Sequence, residues 1–260
     1  MLIGKVALVT GSTSGIGLAA AHVLAKQGIN IILHGLMSEQ EGQALAISFE
    51  QEYGVKAMFD GADLSNESAI SEFMDKAIFQ MGSIDILVNN AGIQHTESIE
   101  NFPVNKWNAI IAINLSSAFH TMQKALPSMQ KNGWGRIINI ASVHGLVGSV
   151  NKSAYVAAKH GIVGLTKVAA LENATKGITA NAICPGWVET PLINQQIEDI
   201  ALSKQMDFEE AKVDLITAKQ PLPKMAQASQ IGELILFLCS DAAASITGSS
   251  LPIDGAWTAQ

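Results

Sequence analysis

Tyr155 and Lys159 stand four residues apart in the segment Tyr155-Val156-Ala157-Ala158-Lys159, and on a helix that interval puts both side chains on one face. The chemistry this allows is proton transfer. A free phenol titrates near ~10, so a phenolate base at neutral pH needs a positive charge beside it, which an ammonium group can supply. Ser142 lies thirteen residues before Tyr155, at the end of a strand candidate running from Arg136 to Ala141, where its hydroxyl can hydrogen-bond a reacting oxygen. No G-x-S-x-G elbow surrounds Ser142, which argues against a hydrolase nucleophile.

These residues need a scaffold, and the chain supplies an alternating one. Short, continuously apolar runs begin near Val6, Ile29, Val55, Ile84, Arg136, Ile178 and Leu251, with longer segments of helical periodicity between them. Continuous rather than alternating apolar character fits strands covered on both faces, so the pattern predicts βαβ units around a parallel sheet. With 260 residues and 48% hydrophobic content, the expected fold is a single-domain, Rossmann-type, doubly wound α/β sheet over residues 1–260. Between Thr190 and Lys224 the alternation breaks into a more polar stretch. We read it as a small helical lid, with an ordinary surface hairpin as the alternative.

Composition excludes some classes of function. A formal net charge of -7 argues against a nucleic-acid or anionic-membrane surface, which needs clustered Lys and Arg. No run approaches the ~18 apolar residues that span a bilayer. Cys184 and Cys239 are the two cysteines, without the paired spacing of a zinc or redox site. With no signal-peptide pattern at the start of the sequence, a reduced, cytoplasmic setting and no metal are the expectations. Only 15% of residues are charged, which fits surface hidden in an oligomer or a well-filled core.

Directly after the first strand candidate comes Thr10-Gly11-Ser12-Thr13-Ser14-Gly15-Ile16-Gly17, opening a helical run. Glycines at a strand-to-helix turn let backbone approach a pyrophosphate, and the helix N-terminus offers N–H donors and partial positive charge. The spacing is G-x3-G-x-G. Together with Asn89-Asn90-Ala91-Gly92 after the fourth strand and the Ser142, Tyr155 and Lys159 set, the sequence resembles the short-chain dehydrogenase/reductase family along almost its whole length.

That resemblance implies an oxidoreductase with a nicotinamide cofactor, and it carries roles onto particular residues. Asn114 would complete the catalytic set by holding a water that joins Lys159 to solvent. Gly11, Thr13, Ser14, Gly15, Ile16 and Gly17 would take the diphosphate. Leu36, Asp63, Leu64, Asn90, Ala91 and Gly92 would line the adenosine side, with Asp63 accepting from the adenine amino group. Pro185, Gly186, Val188 and Thr190 would lie against the nicotinamide, beside Tyr155 and Lys159. Many NAD enzymes carry an Asp at the end of the second strand, whereas this chain has His34-Gly35-Leu36. Neither that stretch nor the glycine turn supplies Lys or Arg for a 2'-phosphate, so NAD is expected over NADP. His34 is left as a conceivable phosphate ligand.

Within the family the residues around the catalytic set resemble those of enzymes oxidising small 3-hydroxy acids such as (R)-3-hydroxybutyrate to the keto acid. Lys152 could supply charge to the carboxylate, and Gln94, His144 and Gln196 hydrogen bonds, with Ser142 and Tyr155 on the reacting oxygen. Trp187 and Trp257 would close off the methyl end. Each has a plainer alternative: Lys152 a solvated loop charge, His144 a satisfied histidine, Trp257 a C-terminal anchor, and Gln195 in place of Gln196. The other functional readings are a reductase of another small ketone or 3-oxoacyl thioester, or a non-catalytic NAD-binding regulator. The resemblance also implies a homotetramer, with helices near 107–129 and 153–171 at its interfaces.

Overall fold

The continuous apolar runs become strands: β1 (Val6–Val9), β2 (Asn30–His34), β3 (Ala57–Asp60), β4 (Ile86–Asn89), β5 (Gly135–Ile140), β6 (Ile178–Pro185), the two-residue pair β7 (Val188–Glu189) and β8 (Ala226–Gln227), and β9 (Ser250–Ile253). The computed structural model describes residues 2–259, except the side chains of Pro191, Leu192 and Gln195. Seven strands form one sheet in the order β3-β2-β1-β4-β5-β6-β9, and every neighbouring pair is parallel. The expected strand starts lie within two residues of these. The pair β7 and β8 escaped the sequence reading because two residues leave no periodic run.

The helices are α1 (Gly15–Ala25), α2 (Glu39–Tyr53), α3 (Glu67–Met81), α4 (Val104–Ile111), α5 (Ser117–Asn132), α6 (Ser153–Asn173), α7 (Pro191–Lys204), α8 (Phe208–Thr217) and α9 (Ala228–Cys239). β1 shows why they must cover both faces. Val6 and Leu8 pack with Phe73 and Met74 of α3, Met122 of α5 and Ile162 of α6. Ala7 and Val9 join Leu24 of α1, Phe49 of α2 and Ile235 of α9 on the other side. Successive residues of a strand point to opposite faces, so a strand apolar at every position needs two layers of helix. Gly232 lets α9 approach α1, since a Cβ there would lie 2.9 Å from Val23.

Strand order reverses between β1 and β4, opening a crevice beyond the carboxyl ends of the strands, where ligands of such sheets bind. Two local devices shape its walls. A π-helical turn (Ala112–Ser116) joins α4 to α5 and carries Asn114, and the 190–224 segment folds into α7 and α8. The latter two build a separate small core of Ile197, Ala211, Ile216 and Met225, against which Trp187 packs. A capping box between Asp207 and Glu210 starts α8. The lid expectation thus corresponds to a helix pair with its own packing. No helix among the described residues is long and apolar enough to cross a membrane.

Candidate active site

The crevice is a cavity of about 510 Å³ running from the glycine turn and Leu36 at one end to Lys152, Gln196 and Trp257 at the other. The turn owes its path to glycine. Gly11 and Gly15 take φ of +64° and +53°, and a Cβ on Gly11 would meet Ala91 Cα at 3.0 Å. Asn90 fastens the turn by donating from Nδ2 to the carbonyls of Thr10 (2.9 Å) and Gly11 (3.1 Å), while Thr10 Oγ1 accepts from the amides of Asn90 and Ala91. Thr13, Ser14, Gly15, Ile16, Ala91 and Gly92 all line the cavity. Gly17 is buried behind them, its Cβ position 2.2 Å from the Gly11 carbonyl oxygen. It is glycine so that α1 can pack against the turn.

Around the adenosine end, Leu36 is exposed at the rim and Leu64 is buried. Asp63 Oδ1 accepts from the amide and hydroxyl of Ser65, both at 2.8 Å, and these bonds hold its carboxyl below the usual carboxylate range. His34 is buried. Its Nδ1 accepts from the Gly11 amide at 3.2 Å and its Nε2 faces the Ala62 carbonyl at 2.9 Å. Burial pushes the imidazole below its ordinary pKa, so the conceivable phosphate ligand is a neutral wall residue. Gly35 beside it has no room for a side chain, its Cβ position lying 2.5 Å from Thr13. Cradle, helix N-terminus and volume fit a dinucleotide.

At the reacting end, Tyr155 and Lys159 share the inner face of α6. Lys159 Nζ donates to the Ile140 carbonyl at 2.7 Å and stands 5.6 Å from the centre of the Tyr155 ring. Burial lowers the Lys159 pKa to about 8. Burial also pushes the Tyr155 phenol up, with the neighbouring Ser142 hydroxyl pulling it back. Ser142 caps a 3-10 turn (Val143–Gly145), its Oγ accepting from the His144 amide at 3.2 Å. Gly145 was missed in the sequence. A Cβ there would lie 2.7 Å from the Lys159 carbonyl, so glycine sets the Ser142 turn against the catalytic helix.

Asn114, expected to hold a water for Lys159, is buried. It stands behind the cavity wall, its Oδ1 accepting from the Ile93 amide and its Nδ2 donating to the Ile93 carbonyl, both at 2.9 Å. These two bonds fix the loop that presents Ile93 and Gln94 to the cavity.

The substrate candidates converge. Lys152 stands at the N-cap position of α6 without a capping bond from its side chain; it has no acidic partner among the described residues, and burial lowers its pKa. Its Nζ stands 6.0 Å from the Trp187 ring centre, and Trp187 lies 5.6 Å from Trp257. His144 presents its ring edge-on to Tyr155 at 5.9 Å and Trp257 at 5.5 Å. Burial first, and then the charge of Lys152, lower its pKa to about 4, so it is neutral near pH 7. His144 Nε2 and Trp187 Nε1 are buried without hydrogen-bond partners among the described residues. Gln94 and Gln196 complete the wall; the side chain of Gln195 lies outside the described residues. Pro185, Gly186, Val188 and Thr190 line the middle. Cys184 is buried with its thiol pushed up to about 11, which makes it a packing residue. Ile93, Ile113, Val143 and Ile193 also line the cavity, and nothing in their apolar types distinguished them from core.

A Tyr-Lys helix beside a Ser turn, at the switch point of a doubly wound sheet, defines a class of oxidoreductase. The chain belongs to the short chain dehydrogenase family, which residues 5–201 match. It is 53% identical over 260 residues to a D-beta-hydroxybutyrate dehydrogenase of Cupriavidus necator, covering 100% of both chains. It is 50% identical to one of Rhizobium meliloti, over 98% of this chain and 99% of that one. Among solved structures, an L-sorbose reductase from Gluconobacter frateurii, in complex with NADPH and L-sorbose, superposes with a TM-score of 0.93 at 28% identity, over 98% of this chain and 96% of that one.

Proposed function

We propose that the protein is an NAD-dependent dehydrogenase interconverting (R)-3-hydroxybutyrate and acetoacetate. The observation that carries the substrate is Lys152, a half-buried cation without an acidic partner among the described residues, in the same cavity as Tyr155. A desolvated ammonium gains most from an anion that enters with its own hydrogen-bond acceptors. A short 3-hydroxy acid brings a carboxylate to Lys152, with the orphaned His144 Nε2 as a further donor and Gln94 and Gln196 beside it. Trp187 and Trp257 limit the room for a longer chain. The two most similar relatives described above carry names for this activity.

A bound nicotinamide dinucleotide would supply the hydride acceptor; the glycine turn would hold its diphosphate, and Pro185, Gly186, Val188 and Thr190 its nicotinamide. Tyr155 Oη takes the hydroxyl proton as the substrate C–H electrons leave as hydride, so that the C–O bond becomes a carbonyl; in reduction it returns that proton. Ser142 orients the oxygen. Lys159 and the cofactor's positive ring oppose the burial that otherwise keeps the phenol protonated. Asn114 serves the set by positioning the Ile93 loop.

For the cofactor, the adenosine end supports NAD. Asp63 is an anion, Leu36 is apolar and His34 is neutral, so a 2'-phosphate would find no cation there. Exposed Trp107, Phe119, Val168 and Leu171 on α4, α5 and α6 support a homotetramer joined through these helices, and buried, unpaired Cys184 and Cys239 suit a cytoplasmic setting. The test is NADH formation by the purified protein with a panel of hydroxy acids. (R)-3-hydroxybutyrate should give the highest kcat/KM, with NAD preferred to NADP; no turnover, or preference for NADP, would overturn the corresponding part.

A further inference from the structure

His34 joins three segments that the sequence keeps apart. Gly11 of the β1–α1 turn donates its amide to Nδ1, and Ala62 of the loop after β3 meets Nε2. The backbone of His34 adds a reciprocal pair, its carbonyl accepting from the Ser12 amide at 2.7 Å and its amide donating to Ser12 Oγ at 2.9 Å. An acceptor at Nδ1 and a carbonyl at Nε2 fix one form of the ring, neutral with hydrogen on Nε2. Adding a proton to Nδ1 would point it at the Gly11 N–H and break that bond.

We infer that His34 is a positioning residue for the dinucleotide, a neutral rivet holding the diphosphate turn and the adenine loop in one register, so that its protonation and cofactor binding oppose each other. This rests on the dinucleotide reading of the cavity. Gly11 and Asp63, on the two tethered segments, both line the adenosine end of that cavity, and neither segment reaches the other through a bond of its own among those described. A tether made by one side chain makes their spacing depend on that side chain's hydrogen bonds.

The charges around His34 are few. Asp60, its register partner on β3, favours the imidazolium, but Asp60 Oδ2 is engaged by Lys76 of α3 at 2.7 Å. Asp63 on the adjoining loop is held by Ser65. The glycine turn offers amides without charge, and α3 offers the Phe73 ring at 5.4 Å. Burial outweighs the Ala62 carbonyl bond and the Asp60 charge, both of which favour the imidazolium, and lowers the pKa. The neutral ring is thus the form present above the unfolded value near ~6.5, and it is lost as pH falls through the lower folded value.

Three measurements test the rivet. Nitrogen-15 spectra of the whole protein, assigned by comparison with His34→Gln, should show His34 at pH 7 neutral with hydrogen on Nε2; a protonated ring or the Nδ1–H form would overturn the proposal. NADH binding followed by fluorescence should weaken as pH falls through the lowered folded value of His34, beneath the ordinary ~6.5, and His34→Gln, which can make both bonds but does not titrate, should remove that dependence. An acid limb that survives unchanged in His34→Gln would sink the pH linkage. His34→Leu should weaken NADH binding about tenfold at pH 8, leaving KM for the hydroxy acid unchanged at saturating cofactor; wild-type affinity, or an equal rise in both constants, would refute the positioning role. If the wild type binds no NADH, the dinucleotide reading fails instead, while the nitrogen spectra still judge the ring itself.

Discussion

At the adenosine end of the cavity the polar groups are bonded within the protein. Asn90 holds Thr10 and Gly11, Asp63 holds Ser65, and His34 spends both ring nitrogens on backbone. At the hydroxy-acid end His144 Nε2 and Trp187 Nε1 lack partners, and Lys152 faces no acid, among the described residues. The first end recognises its ligand with backbone shape, which must be finished before the ligand arrives. The second keeps desolvated donors unpaired, at a cost of about 1 to 3 kcal/mol for each unsatisfied group, and that cost is recovered only by a ligand of matching charge. Rigidity and selectivity are thus assigned to different ends of one cleft, and Tyr155 sits at the second end.

The comparison can be broken at three points. Tyr155→Phe should lower kcat about a thousandfold while NADH affinity stays within about twofold, because proton transfer belongs to the hydroxy-acid end alone; an active Phe variant would remove Tyr155 from the chemistry. Gly17→Ala attacks the finished end, placing a methyl 2.2 Å from the Gly11 carbonyl oxygen. It should cost about 3 kcal/mol in urea unfolding and weaken NADH binding, and an unchanged midpoint would show that the turn has slack. Lys152→Met should raise KM for 3-hydroxybutyrate roughly thirtyfold, an effect of about 2 kcal/mol, without weakening NADH binding; an unaltered KM would refute the carboxylate clamp.

The Tyr155 and Lys159 pair, the glycine turn and the strand starts were legible because each depends on local spacing. A four-residue helical interval, a glycine cluster after an apolar run and a continuous apolar stretch mean the same thing wherever they occur. Ser142 and Lys152 were legible through their short distance from Tyr155 along the chain. Gly145 was not, because its reason lies on α6, in the Lys159 carbonyl that a Cβ would strike. The apolar wall of Ile93, Ile113, Val143 and Ile193 was hidden for a similar cause, since the same residue types build the core.

Sequence by itself determined that a parallel, doubly wound sheet would carry a Ser-Tyr-Lys set beside a dinucleotide turn, since patterning and motif spacing are properties of the chain. Only the tertiary structure decided how those groups are charged and what holds them. It joined the Asn114 amide to Ile93, buried Tyr155 deeply enough to raise its phenol, and made His34 a bridge between Gly11 and Ala62. Hydrogen-bond partners and desolvation come from segments distant along the chain, and the packing that joins those segments sets protonation.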